Sequence, residues 1–438
     1  MRVGLIAVSG VRIYNDRLTR VGLTLPGFFE RARTIASMPS LGLLTLAAVT
    51  PERFQVEYVE FPEFDAAGLD ALSFDIVGIS SFTAKSDVMY RIADHLRARG
   101  VTVILGGLHV TLCPEEAAQH ADAVVAGEGE KIWPRLLADW EQGRLKKVYR
   151  NAGFRDVDLA ETPAPRYDLL DVSRYNRLPV QTARGCHLDC EFCAASKIFG
   201  GYKTKPVDRV IRDIRAAKGR WRHPFIELAD DNTFVNKRWS KDLVRAIAEE
   251  EIHWFTETDV SVADDPELLD LLARSGCRQL LIGFESPRAA SLEGIEAHNW
   301  KSRRHDQYRR AIDALQGRGI SVNGCFIVGL DQDTPDIFEE VERFVKSTSL
   351  VEVQVTVLTP FPGTALYRRL QAEGRLLTEK FWERCTLFDV TFQPRRMSVE
   401  DLEGGLEHLM KSLYSADERR RRRLRFIEIA RNRRKEAS

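Results

Sequence analysis

Three cysteines stand close together in this 438-residue chain, in the string Cys186-His187-Leu188-Asp189-Cys190-Glu191-Phe192-Cys193. The spacing is C-x3-C-x2-C. Three thiolates so placed can hold three irons of a 4Fe-4S cluster and leave the fourth iron open to a small molecule. A cluster that only carries electrons normally has four cysteines. A structural zinc ion wants four ligands, but His187 follows Cys186 too directly to join it comfortably. The other cysteines, Cys113, Cys277, Cys325 and Cys385, are scattered. A zinc site and a chance cluster of thiols are therefore the weaker alternatives. In a chain whose first residues run straight into an apolar strand with no signal-peptide layout, seven cysteines read as thiols or metal ligands rather than disulfides. The expected location is the cytoplasm.

The elements that must position these groups alternate between strand and helix. Strands are expected at Arg2–Val8, Gln55–Glu60, Ile76–Ser80, Val101–Leu105 and Ala123–Ala126. Helices are expected at Leu41–Val49, Asp87–Arg99, Pro114–His120 and Ile132–Gln142. Strands joined by crossover helices form a parallel, doubly wound sheet, which binds ligands at its carboxyl ends. The loops there are rich in Gly, Ser and Thr: Ser80-Ser81, Gly106-Gly107-Leu108-His109 and Gly127-Glu128-Gly129-Glu130. No G-x-G-x-x-G follows the first strand, which argues against a dinucleotide turn. Residues 1–145 read as this Rossmann-like unit, and 146–178, broken by Pro163 and Pro165, as a linker. A second alternation covers 179–365, with strands at Val180–Ala183, Phe225–Ala229, Trp254–Thr258, Gln279–Gly283, Val322–Val328 and Val351–Leu358. Thr334 is the expected N-cap of a helix over Pro335–Lys346. Six β/α units suggest a partial TIM-type barrel with its site at the C-terminal strand ends, where the cysteines fall. Residues 366–438 read as a helical region with a basic tail.

Lys and Arg total 64, as do Asp and Glu. The balance hides an asymmetry, because residues 415–438 carry an excess of six positive charges and the remainder six negative. The body is therefore not a nucleic-acid surface. The tail suits either a solvated helix or a peripheral contact with an anionic surface. No apolar run approaches the roughly 20 residues needed to span a bilayer.

The cysteine string after the first strand of a six-unit β/α array resembles the radical S-adenosylmethionine (SAM) superfamily. Ala229-Asp230-Asp231-Asn232 resembles the element that contacts the amino group of SAM. Gly283-Phe284-Glu285-Ser286 resembles the element whose Glu reaches the ribose, and Phe326-Ile327-Val328-Gly329 the one beside the adenine. Thr359-Pro360-Phe361-Pro362-Gly363-Thr364 resembles a segment common in one subgroup, which joins the barrel to an N-terminal cobalamin-binding domain. Pro39-Ser40-Leu41-Gly42-Leu43-Leu44 and the Gly106 and Gly127 loops are similar to that domain. The D-x-H-x-x-G motif, whose His ligates cobalt in many cobalamin proteins, is missing.

The resemblance implies a set of roles. Cys186, Cys190 and Cys193 would ligate the cluster. Asp230, Asp231, Glu285, Phe192 and Gly329 would contact SAM. Ser80, Ser81, Gly106, Gly107, His109, Gly127 and Glu128 would line the cobalamin pocket. It also implies reductive cleavage of SAM to a 5′-deoxyadenosyl radical, removal of hydrogen from an unactivated carbon of a small molecule, and methylation there from methylcobalamin. A flavodoxin or ferredoxin would supply electrons. A non-methylating radical enzyme of the same family, performing cyclisation or rearrangement, is the second reading. A metal-knuckle protein that binds nucleic acid through the tail is the third, disfavoured by the acidic body.

Overall fold

The computed structural model describes residues 1–10, 13–24, 38–153, 156–199 and 201–436. Two six-stranded parallel sheets carry the architecture. The first comprises β1 (Arg2–Val8), β2 (Gln55–Glu60), β3 (Ile76–Ser81), β4 (Thr102–Gly106), β5 (Ala123–Ala126) and β6 (Val148–Arg150). Its order is β2-β1-β3-β4-β5-β6, so the direction of winding reverses beside β1 and β3. Central strands such as β1 and β5 are apolar and buried on both faces, as a sheet with helices on each side requires. Between them, the helix Leu41–Val49 is capped by Ser40, whose Oγ accepts the Leu43 N–H at 3.4 Å.

The expected linker does not begin at 146. β6 pairs in parallel with β5 and buries Tyr149, extending the first sheet to residue 150. Three residues are too few to show alternation, so this strand left no pattern to read.

The second sheet is built from β7 (Leu178–Val180), β10 (Phe225–Leu228), β11 (His253–Thr258), β12 (Cys277–Glu285), β13 (Ser321–Val328) and β14 (Glu352–Val357). Its strands follow one another in chain order, β7 at one edge and β14 at the other, every pair parallel. This is the expected array of six β/α units. A short antiparallel ribbon, β8 (Ala183–Arg184) with β9 (Lys203–Thr204), brackets the cysteine segment. The helix after β13 starts at Ile337, later than expected. Thr334 does not cap it, because its hydroxyl donates to Asp336 and accepts from Arg288.

The C-terminal region packs against the second sheet. The helix Val399–Tyr414 opens with a Ser398/Asp401 capping box and buries Leu402, Leu406, Leu409 and Leu413 in the barrel core. Tyr414 donates its hydroxyl to the Val353 carbonyl at 2.7 Å. The basic tail forms a second helix, Ala416–Glu436, with one face docked: Arg422 is buried and donates to the carbonyls of Val351 and Leu413. The last two residues of the tail lie outside the described residues.

Candidate functional site

A cavity of about 450 Å³ opens at the carboxyl ends of β1, β3, β4 and β5. The first unit contributes Ser80, Ser81, Gly106, Gly107, Gly127 and Glu128 to its wall, and the second Pro179, Gln181, Arg184 and Ala229. The lining is mostly apolar. Two glycines shape it. Gly107 has φ of +98°, and a Cβ there would collide with Ser80 Oγ. Gly127 has φ of +107°, and a Cβ there would collide with Asn151 Oδ1. Asn151 clamps this loop by accepting the Glu128 N–H at 2.5 Å and donating to the Glu128 carbonyl at 3.0 Å.

His109 departs from expectation. Its ring is fully buried and turned away from the cavity, with Nε2 at 3.0 Å from the Tyr90 hydroxyl and the ring edge-on to Trp382. The cavity wall is formed instead by its helix neighbours Leu108 and Thr111. Burial pushes the imidazole down to about 4. No histidine lines the cavity among the described residues.

Beside the cavity lies the cysteine loop. None of the three thiols is in a disulfide, Cys190 being buried and Cys186 and Cys193 half-buried. Cys186 Sγ accepts the Leu188 N–H at 3.4 Å and the Asn232 side-chain amide at 3.6 Å. Asn232 is itself held by Asp259 at 2.8 Å. Burial pushes the Cys190 thiol up to about 12, with Lys301 pulling the other way. Among the described residues no three His, Cys, Asp or Glu side chains converge on a single ion. A cubane takes one iron per thiolate, so its ligands need not converge, and soft sulfur donors suit it.

The paired aspartates hold backbone. Asp230 accepts the N–H groups of Thr182 and Ala183 at 2.7 and 2.8 Å and the hydroxyls of Thr182 and Thr233. Its carboxylate is thus spent on tying the end of β10 to the approach of the cysteine loop, which leaves the backbone at Asp230, and not its side chain, for the expected contact with SAM. Burial outweighs those bonds and raises it to about 6. Asp231 accepts the Gly185 N–H at 2.8 Å, one residue before Cys186.

Glu285 sits where β12 loses register with β13, at φ of +61°. Its carboxylate accepts a hydrogen bond from Lys301 Nζ at 2.7 Å, and Lys301 also donates to the Gly283 carbonyl at 3.2 Å. Burial opposes the lysine charge, but Glu285 and then Cys190 outweigh it and hold the ammonium positive. Glu257, on β11, has no such partner. Burial and then Glu227, Asp231, Asp230 and Glu285 push it up to about 8. Asn323 Oδ1 is buried without a partner, on the face of β13 opposite the apolar Val322, Phe326 and Val328. Asn323 Oδ1 is an orphaned acceptor and Glu257 a carboxylate with no cation beside it, polar groups that a ligand inside the barrel would satisfy. Phe192 is half-buried against the main core. Gly329, at φ of +92°, donates its N–H to Asp333 at 3.0 Å, and a Cβ there would press on Leu402.

One buried ion cluster joins the two units. Arg184 pairs with Glu128, with Glu130 at 2.7 Å and with Gln181 at 2.7 Å. Lys203 donates to Glu128 at 2.9 Å and to the Val157 carbonyl at 2.9 Å. Glu128 therefore lines the cavity with its carboxylate already committed. Arg184, Lys301, Asn151 and Glu257 were not legible as site residues; only Arg184, two residues before Cys186, stood near a motif.

Three thiols beside an acid-rich barrel mouth, facing a glycine-edged cavity on a doubly wound sheet, define a radical SAM barrel joined to a cobalamin-type nucleotide fold. The residues present fit all three groups: soft sulfur donors for the cluster, unpaired polar atoms for SAM, and a roomy apolar cradle for cobalamin. Comparison with known families agrees. Residues 180–345 match the Radical SAM superfamily, 33–137 the B12 binding domain, and 364–438 a domain of unknown function, DUF4070. The chain is 31% identical over 371 residues to bacteriochlorophyllide d C-8(2)-methyltransferase of Chlorobaculum tepidum, covering 82% of this chain and 81% of that one. It is 27% identical over 384 residues to the C-12(1)-methyltransferase of the same organism, covering 86% and 83%. The fold is similar to that of the radical SAM methyltransferase TsrM from Kitasatospora setae, solved with cobalamin and a 4Fe-4S cluster bound. The TM-score is 0.70, the identity 16%, and the coverage 100% of this chain and 99% of that one. The chain belongs to the family of cobalamin-dependent radical SAM enzymes whose members include these methyltransferases.

Proposed function

We propose that this enzyme methylates a carbon of a ring-based, largely apolar small molecule, with bacteriochlorophyllide-like tetrapyrroles the class to test first. The observation that carries this reading is the shared cavity, whose wall includes Arg184, two residues from the first cysteine. The two curated relatives methylate carbons of a bacteriochlorophyllide by name.

Cys186, Cys190 and Cys193 would hold the cluster. Asp231, Glu285, Phe192 and Gly329 would surround SAM, and Ser80, Ser81, Gly106, Gly107 and Gly127 would receive cobalamin. When bound, these groups supply reductive cleavage of SAM, removal of a substrate hydrogen and the methyl group that replaces it. The chain itself positions and encloses. Lys301 pairs with Glu285 and orients it, Asp230 and Asp231 fix the backbone leading to Cys186, and Arg184 ties that backbone to the cavity rim. The Cys190 thiol must lose its proton when iron binds, so assembly of the site is favoured by rising pH. A small one-electron carrier of the flavodoxin or ferredoxin kind would reduce the site, and the cytoplasm is the proposed location. No helix among the described residues is long and apolar enough to cross a membrane.

The test is anaerobic turnover of protein reconstituted with iron, sulfide and cobalamin, supplied with SAM, a reductant and a bacteriochlorophyllide. The expected products are the methylated pigment with S-adenosylhomocysteine and 5′-deoxyadenosine in equal amounts. Deoxyadenosine with no S-adenosylhomocysteine and an unmethylated, cyclised product would move the assignment to the non-methylating reading.

A further inference from the structure

The C-terminal helix Ala416–Glu436 has two unlike faces. On one, Glu418 and Arg422 are buried, and Arg425 donates to the Thr348 carbonyl at 3.0 Å. These contacts fix which way the other face looks. At 3.6 residues per turn, Arg420, Leu424, Ile427 and Arg431 fall on a single outward stripe, with Arg423 at its edge. Leu424 is 56% exposed and Ile427 42%, two of the few large apolar side chains left in water among the described residues. Arg420, Arg423 and Arg431 are exposed too, and among the described residues they pair with no carboxylate. What sets this stripe apart is the combination, three exposed arginines without a carboxylate flanking two exposed aliphatics on one helix face.

We infer that the outward face of this helix is a docking surface for an anionic lipid bilayer. The arginines meet the lipid headgroup charge while the two aliphatics, Leu424 and Ile427, enter the boundary with the acyl chains, so electrostatic attraction supplies most of the binding and the aliphatics a smaller part. Charge complementarity selects this occupant. The helix carries a net excess of six positive charges on a body that carries six negative, so an acidic surface is attracted to this face and repelled elsewhere. An apolar protein partner would account for the two aliphatics but not for the uncompensated arginines. The inference does not rest on the proposed substrate: protein that docks but fails to methylate bacteriochlorophyllide leaves it standing.

The test is co-sedimentation of the full chain with vesicles of phosphatidylcholine alone and of phosphatidylcholine with one-third phosphatidylglycerol, at low and physiological salt. The mixed vesicles should retain the protein, more so at low salt, and the neutral ones should not. Leu424→Ser with Ile427→Ser, and separately Arg420→Glu with Arg423→Glu, should each weaken retention about tenfold or more while helix content and cobalamin retention stay as in the parent. Equal binding to both vesicle types, no binding to the mixed ones at low salt, or variants that sediment like the parent would overturn the inference. Preferential capture of duplex DNA or of an acidic protein through the same arginines, with no vesicle binding, would also overturn it.

Discussion

Glu285 is held in a left-handed backbone conformation at a bulge, with its charge balanced by Lys301. Changing Glu285 to Gln keeps the shape and removes the charge, so SAM affinity should drop about tenfold or more while iron content stays the same. Equilibrium binding of SAM alongside iron analysis reads both. His109 makes a different prediction. Burial holds it near 4 against an ordinary value of 6.5, so between those values the folded chain binds fewer protons than the unfolded one. Stability from this group is full above about pH 6.5 and falls by about 3 kcal/mol as pH drops towards 4. Ring resonances in NMR should show no titration of His109 between about pH 5 and about pH 8; a midpoint near 6.5 would mean that the ring is solvated. The two residues also mark what was readable. The cysteines, Glu285 and the loop glycines announce themselves because their spacing is local. Lys301 and Asn151 do not, because they meet their partners only through tertiary structure. The motif points to His109 but does not fix its orientation, since one step along a helix separates the cavity wall at Leu108 from the core.

Between elements, the decisive contact is Arg184 at the end of β8 with Glu128 and Glu130 after β5. It bolts the backbone before Cys186 to the rim of the cavity. Breaking a buried ion pair by removing one partner typically costs about 3–5 kcal/mol. Arg184→Met should therefore lower the melting temperature and reduce cobalamin retained after desalting, with iron per chain preserved. Arg184→Lys should recover charge but not the forked contact, and fall between. Cobalamin retention equal to the parent in both variants would show that the bolt does not shape the cavity. The alternation of apolar strands and amphipathic helices made both parallel sheets readable in advance. What escaped was short or locally ambiguous: β6, three residues long, and the helix start at Ile337, where Arg288 claims Thr334.

At the scale of the whole molecule, two parallel sheets present their carboxyl ends to one shared space, and the C-terminal helices lock onto the second sheet. The chain's charge is divided the same way, acidic over the body and basic along the final helix. The candidate site lies in the acidic body, and the proposed membrane contact lies on the basic helix. The central claim is that three thiolates hold a cluster with one iron left for SAM, beside a cobalamin cradle. Electron paramagnetic resonance of the anaerobically reconstituted, reduced protein, recorded without and with SAM, tests it most directly. A 4Fe-4S signal that changes on addition of SAM, and that is lost in Cys186→Ala, Cys190→Ala and Cys193→Ala, is the predicted result. A signal indifferent to SAM, or a protein that takes up one zinc ion and no iron, would contradict the account.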